Sequence, residues 1–265
     1  MRWLLAEVQG RDPVLSWTGW AHLALVPVLA AVALFDQRLI LGQSAWIKPL
    51  KFALSNTIYL WTIAWFLGDI RGQAQRAARL IGLGAAGSMI LEIVCIAGQS
   101  ARGVPSHFNV AAGFDGAVFS LMGLGILVNT LLVAWLTFLF WLGPTDLPRP
   151  YLWGIRLGLL VFLLGSAVGS QMIAHMAHTV GAPDGGPGLP VVGWSTVAGD
   201  LRPAHLLGLH ALQVLPLLGW LVVRCCGRLE PAKQTALVLS LAAAYVLITG
   251  LVLNQALRGH PLLPG

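Results

Sequence analysis

Residues 117–142 read AVFSLMGLGILVNTLLVAWLTFLFWL and contain no charged side chain. This run is longer than the roughly 20 apolar residues that a helix needs to cross a bilayer. Similar runs recur along the chain of 265 residues, of which 57% are hydrophobic and 10% are charged, with a mean hydropathy of +0.78. Soluble domains carry about 25% charged residues, so this chain has too little charge to cover a water-exposed surface. We therefore predict an all-α, polytopic membrane helix bundle.

The apolar runs predict about seven transmembrane helices in a single transmembrane domain over residues 1–265. Polar or Gly/Pro-rich joints separate them. The joint at 179–202 contains GAPDGGPG at 181–188, a composition that excludes regular helix. We expect this joint either to fold over the helix ends as a lid or to act as a plain connector. The predicted helices cover residues 18–36, 46–68, 80–99, 112–142, 154–178, 203–223 and 234–256.

The basic residues predict an orientation for this bundle. Ten of the sixteen Lys and Arg residues lie in the N-terminal segment and in the joints around 70–79, 143–156 and 224–233. The positive-inside rule makes this side cytoplasmic, which places the N-terminus inside and the C-terminus outside. We expect a location in the bacterial inner membrane, with the lipid bilayer as partner. The net charge of +6 is spread over several joints, so nucleic acid is not an expected partner.

Polar side chains form stripes in the outer halves of five predicted helices. Residues three, four or seven apart share a helix face. Ionisable groups near lipid are costly, which makes such stripes candidate functional sites. We interpret them as lining one shared cavity that opens to the outer side, and separate interhelical hydrogen-bond seams are the alternative. His22 and Asn129 lie away from the stripes and receive no predicted role. The stripes are Lys48, Lys51 and Ser55; Glu92 and Gln99; Gln171, His175 and His178; His210 and Gln213; and Asn254 and Arg258.

Histidines concentrate at the same outer ends and suggest a metal or haem. His175 and His178 are the best candidate ligand pair, with His210 third and His205 or His107 completing the shell. His205 and His210 are five residues apart, about 140° around a helix, so they should not bind one ion unaided. The metal would be zinc, iron or copper. A b-type haem would instead need two histidines on facing helices, such as His175 or His178 opposite His210.

Basic residues at predicted helix starts suggest a site for an anionic or lipid-soluble small molecule. Lys48 and Lys51 flank the start of the second helix, and Arg202 and His205 flank the start of the sixth, where Asp200 is the predicted N-cap. Helix N-termini bind anions through free backbone N–H groups. Snorkelling of long basic side chains to the interface is the alternative. The predicted substrate-binding residues are Lys48, Lys51, Gln99, Arg102, Gln171, Arg202, Gln213, Asn254 and Arg258.

Glu92, His107 and Asp115 are the predicted catalytic residues. Glu92 lies about two turns inside the outer end of the third helix, a position suited to proton transfer. A structural ion pair with Lys51 or Arg102 is the alternative for this carboxylate. Asp115 lies near the start of the fourth helix, where capping that helix is its alternative role.

Three motifs resemble an uncharacterised family of bacterial seven-helix integral membrane proteins. The resemblance spans most of the chain and implies no activity. The motifs are Lys48-Pro49-Leu50-Lys51-Phe52, Ser106-His107-Phe108-Asn109, and Gly199-Asp200-Leu201-Arg202 followed by His205 and by His210-Ala211-Leu212-Gln213.

Two function hypotheses use the same residues. The first is a membrane-embedded oxidoreductase or other metalloenzyme that depends on a metal or haem in the outer half of the bundle. The second is an anion or proton-coupled transporter or channel. The inner halves of the predicted helices are nearly all apolar, which weighs against the second hypothesis because no polar path is predicted to cross the membrane.

Overall fold

A computed structural model describes residues 2–265, without the side chains of residues 2–5, Arg71 and Gln73. Within this range the fold is all-α, with two short antiparallel pairs of strands, the first strand with the second and the third with the fourth. The helices are α1 Arg2–Arg11, α2 Pro13–Phe35, α3 Ile47–Arg102, α4 Gly113–Leu142, α5 Arg149–His175, α6 Arg202–Cys225 and α7 Pro231–Leu257. The strands are β1 Leu39–Ile40, β2 Gln43–Ser44, β3 Thr179–Val180 and β4 Gly199–Asp200.

The helix α3 is interrupted at one residue, Ala74, whose φ of −136° and ψ of 47° are not helical. We call residues 47–73 the first arm of α3 and Gln75–Arg102 the second arm. The sequence predicted a joint around 70–79, and the interruption at Ala74 lies within it, although the chain is helical on both sides of this residue. Counting the arms separately, the described residues form eight helices.

The two arms of α3 fold back on one another. Ala53 in the first arm and Ile93 in the second belong to the same buried cluster. A Cβ placed on Gly82 would lie 3.3 Å from Leu67 Cδ1. In a straight helix these last two residues would be about 22 Å apart. The reversal at Ala74 therefore makes α3 a helical hairpin.

Six helical segments in the described chain are long and apolar enough to cross a membrane, which indicates a multi-pass membrane protein in contact with lipid. The first arm of α3 is not among them, since polar residues such as Asn56, Thr57 and Asp69 lower its hydropathy. The count of seven and the orientation of the termini stay predictions. The six segments are Pro13–Phe35, Gln75–Arg102, Gly113–Leu142, Arg149–His175, Arg202–Cys225 and Pro231–Leu257.

The chain groups into two compact units, Met1–Leu132 and Val133–Gly265. In the first unit, α2 packs along the arms of α3, and α1 contacts both helices. Asp12 begins α2 by accepting the Leu15 N–H at 3.0 Å, and a proline follows it at the first helical position. Both are favoured features of a helix start, because the cap satisfies a free N–H and proline needs none.

In the second unit, α5 packs closely against α6, and α7 contacts both. Glycines allow this contact: a Cβ on Gly208 would lie 2.4 Å from Gly165 Cα, and a Cβ on Gly154 would lie 2.5 Å from Leu215 O. Small residues let membrane helices approach backbone to backbone. The α5–α6 interface therefore leaves no room for larger side chains at these positions.

Candidate functional site

The buried carboxylate of Glu92 lies beside an imidazole in the first unit. Glu92, on the second arm of α3, is 2% exposed. Its Oε1 atom is 3.5 Å from His107 Nε2, while His107 Nδ1 is 3.1 Å from Ser106 Oγ. The structure thus brings together two of the three residues predicted to be catalytic.

The loop after α3 carries His107 back over this helix. Gly103 ends the helix in the left-handed conformation (φ 73°), and the next N–H, of Val104, bonds to Gln99 O at 3.1 Å. This arrangement is a common glycine-terminated helix end. Phe108, also left-handed at φ 57°, continues the turn. The local backbone therefore places His107 beside α3.

Aromatic rings surround the imidazole, and a lysine lies near the carboxylate. The ring centroids of Phe52, Phe108 and Phe119 lie 6.1–6.2 Å from that of His107. Lys48 Nζ is 6.0 Å from the Phe52 ring, and its charge acts on Glu92. Lys51, half-buried, lies three residues further along the same arm. The Glu92–His107 pair therefore has mostly aromatic surroundings, and the cation Lys48 lies nearby.

Three other predicted site residues form a separate triangle between the end of α3 and the start of α4. Asp115 accepts a hydrogen bond from Gln99 Nε2 at 3.0 Å and pairs with Arg102. Arg102 also donates to Gln99 Oε1 at 2.5 Å, and its guanidinium lies 4.7 Å from the Phe114 ring centroid. Since these groups satisfy one another, the triangle ties the two helices together.

A further layer of buried polar groups lies deeper in the first unit. The two ring nitrogens of His22 lie 2.8 Å from Thr18 O and 3.2 Å from Met89 O. Tyr59 donates to Asn129 Oδ1 at 2.8 Å. Sequence reasoning missed His22 and Asn129, because each is a lone polar residue in an apolar run and its partner lies on another helix.

Asn56 belongs to the same layer. It is 5% exposed, and its Nδ2 atom has no hydrogen-bond partner within the described chain. It lies on the first arm, one turn beyond Ala53, which packs with Ile93 next to Glu92. Unsatisfied buried amides are rare, and each calls for an explanation such as bound water or function.

In the second unit, the prediction that His178 shares a helix face with Gln171 and His175 is wrong. The helix α5 ends at His175, because Met176 adopts a left-handed conformation (φ 52°) that stops it. His178 lies beyond the helix, in the Gly/Pro-rich loop, and Gln171 and His175 are exposed.

Asp184 holds His178 in this loop. The carboxylate accepts hydrogen bonds from His178 Nδ1 at 2.7 Å, from Thr179 N at 2.9 Å and from His178 N at 3.1 Å. Burial raises the pKa of Asp184, but the hydrogen bonds from His178 and Thr179 outweigh it and hold the pKa well below its usual range. No sequence signal beyond the Pro-Asp-Gly turn pointed to this contact.

The start of α6 is built around Asp200. The helix begins at Arg202, one residue before the predicted bound of 203, and its cap is Leu201 rather than the predicted Asp200. Asp200 instead accepts the Arg202 N–H at 2.9 Å. The Arg202 guanidinium pairs with Asp200 at 2.6 Å and donates to Gly193 O. Ser195 N also donates to Asp200, at 2.8 Å. Arg202 thus fastens the loop to the helix start.

The remaining predicted metal ligands have separate partners. His205 Nδ1 lies 2.8 Å from Gly165 O, and His210 Nδ1 lies 3.3 Å from Gln213 Oε1. Asn254 and Arg258 are exposed at the end of α7. Nowhere in residues 2–265 do three His, Cys, Asp or Glu side chains group so as to hold a metal ion. His175, His178, His205 and His210 therefore form no such group in the described chain, and the metal or haem hypothesis stays a prediction.

The Gly/Pro-rich loop of the second unit, residues 179–202, also lines a cavity that is open on one side. It has a volume of about 360 Å³ and is lined by Thr179, Asp184, Ser195, Arg202 and glycines of the loop. The β3–β4 pairing and the Leu189 N–H to Trp194 O bond of 2.8 Å hold the loop in this form.

Comparison with protein-family models, with curated proteins and with solved structures finds no match to this chain. The resemblance to bacterial seven-helix membrane proteins stays a prediction.

Proposed function

We propose that this protein is a transporter of the bacterial inner membrane that couples movement of a small anion to protons through Glu92 and His107. The observation that carries the proposal is the contact of 3.5 Å between the Glu92 carboxylate, 2% exposed, and His107 Nε2. Ionisable groups inside membrane helices are costly, and those that persist are typical of proton relays and ligand sites.

The pair has the chemistry of a proton-exchange site. A proton on the carboxyl group makes both groups neutral, while a proton on the imidazole makes them an ion pair. Both side chains are common general acids and bases, and 3.5 Å is close to hydrogen-bond reach. Lys48 lies near Phe52, one of the rings around His107, and its positive charge favours binding of an anion nearby.

The deeper polar layer supports the transport proposal. Sequence reasoning expected the inner halves of the helices to be nearly all apolar, whereas His22, Asn56 and Asn129 are buried polar residues near the middle of their helices, and Tyr59 donates to Asn129. Both ring nitrogens of His22 face carbonyl oxygens. A neutral imidazole donates only one of these bonds and a protonated ring donates both.

The proposal is tested with the full chain in liposomes that contain a pH-sensitive dye. A proton gradient is imposed in chloride, phosphate or succinate. We expect faster pH equilibration than in protein-free liposomes with at least one anion. Glu92→Gln should slow this flux about 100-fold, since glutamine cannot exchange a proton.

Asp184→Asn is the matched control, because it removes a partly buried acid in the other unit and should leave the flux within about twofold of the original. Flux no faster than in empty liposomes with every anion would overturn the transport proposal. Undiminished flux in Glu92→Gln would overturn the assignment of the site.

A further inference from the structure

We infer that the first unit binds the headgroup of a phospholipid in a cavity where α2 begins. The cavity has a volume of about 240 Å³. This site is separate from Glu92 and His107 and does not depend on the transport proposal. Its lining residues are Asp12, Pro13, Val14, Gln75, Arg79 and Leu83.

The depth of the cavity suits a headgroup. Pro13 and Val14 are the first residues of one candidate membrane span, and Gln75 and Arg79 belong to the first turns of another. Two spans that start beside the same cavity place it at the edge of the hydrocarbon layer. Phosphate groups of lipids lie at this level on either side of a bilayer.

The exposed charge of the cavity is positive. Arg79 is exposed and has no hydrogen bond or ion pair with the described residues. Asp12 is 5% exposed, and its Oδ1 atom is occupied by the Leu15 N–H. A guanidinium offers a planar fork of N–H donors that matches phosphate oxygens. Arg79 is therefore the group that would bind the phosphate.

The apolar wall distinguishes a lipid from a soluble phosphate. Val14 is 44% exposed and Leu83 is 47% exposed, and both line the cavity. The acyl chain of a phospholipid would cover these side chains while the phosphate of its headgroup contacts Arg79. A free phosphate ion would leave both apolar side chains uncovered. The combination of cation and apolar wall therefore favours a phospholipid.

The experiment is native mass spectrometry of the full chain in detergent, titrated with phosphatidylglycerol. We expect Arg79→Gln to lower the bound fraction about fivefold, as for loss of a charged hydrogen bond at a partly exposed position. Arg76→Gln is the matched control, because Arg76 lies on the same arm, is exposed and does not line the cavity. Arg79→Lys should bind at an intermediate level, since it keeps the charge and loses the fork.

Three results would overturn the inference. Equal loss in Arg76→Gln and Arg79→Gln would indicate general attraction to the basic interface. Equal binding of a diacylglycerol with the same chains would remove the role of the phosphate. Saturation of the site by inorganic phosphate alone would remove the role of the acyl chains. Far-UV circular dichroism checks that each variant keeps its helix content.

Discussion

The two units bury their polar groups in different ways. In the first unit, the buried Glu92 carboxylate lies 3.5 Å from His107 Nε2, and the buried Asn56 Nδ2 donor has no acceptor within the described residues. In the second unit, Gly165 and Gly208 bring two helices into backbone contact, and the acid Asp184 is held in a loop by three donor groups. Close backbone packing stabilises a structure, while incompletely satisfied buried groups leave room for proton and ligand chemistry. The difference points to the first unit as the reactive one.

The largest effect is expected where the second unit is most tightly packed. Gly208→Ala should lower the free energy of unfolding by about 3 kcal/mol, because the new methyl group would meet the Gly165 backbone, which cannot move aside. Denaturant unfolding in detergent, followed by circular dichroism, measures this. Gly250→Ala on α7 is the control, since no atom lies within 4 Å of its Cβ position. Equal stability of the two variants would contradict the packing described for α5 and α6.

A second prediction compares how much the carboxylates of Asp184 and Glu92 contribute to stability. Asp184→Ala should destabilise the protein by about 1–2 kcal/mol, because its three donors lose their acceptor. Glu92→Leu should be neutral or stabilising, since an apolar side chain removes the cost of a buried charge. Denaturant unfolding in detergent measures the free energy of unfolding of both variants. Destabilisation by Glu92→Leu as large as that by Asp184→Ala would make the Glu92–His107 pair structural.

Acid should weaken the second unit through Asp184. The pKa of this carboxyl is held below its usual range in the folded protein, so its contribution to stability is complete above the unfolded pKa of about 4. That contribution is lost as the pH falls from about 4 through the lower folded pKa. The melting temperature of the original protein should therefore drop more steeply between pH 5 and pH 3, roughly, than that of Asp184→Asn. Parallel curves for the two proteins would contradict the role of Asp184.

The smallest effect is expected from chelators. Three of the predicted metal ligands, His178, His205 and His210, each contact a different partner. Treatment with EDTA should then change the melting temperature by less than about 2 °C, whereas losing a structural metal would cost far more. A large shift, reproduced by His178→Ala and His210→Ala, would favour the metalloenzyme hypothesis over transport.

The sequence predicted the six candidate spans because each apolar run is near the roughly 20 residues that a bilayer requires, and it missed the short helix α1. It named both Glu92 and His107 as catalytic residues, but it offered Lys51 or Arg102 as the ion-pair partner of Glu92 and did not predict the contact with His107. The end of α5 was missed because Met176 is neither glycine nor asparagine, the residues that usually adopt the left-handed conformation. The reversal at Ala74 falls within the predicted joint around 70–79, but the sequence did not show that helix continues directly on both sides of one residue.

In the hairpin of α3, the number of residues between Ala74 and Glu92 determines which face of the second arm carries Glu92. Glu92 lies 18 residues after Ala74, about five whole helical turns, and Phe52 lies 22 residues before it, about six turns. Both residues therefore lie on the face of their arm that is in register with Ala74. One residue inserted beside Ala74 would rotate one arm by about 100° relative to the other. The chain can vary the residue types along α3 more freely than it can vary their number.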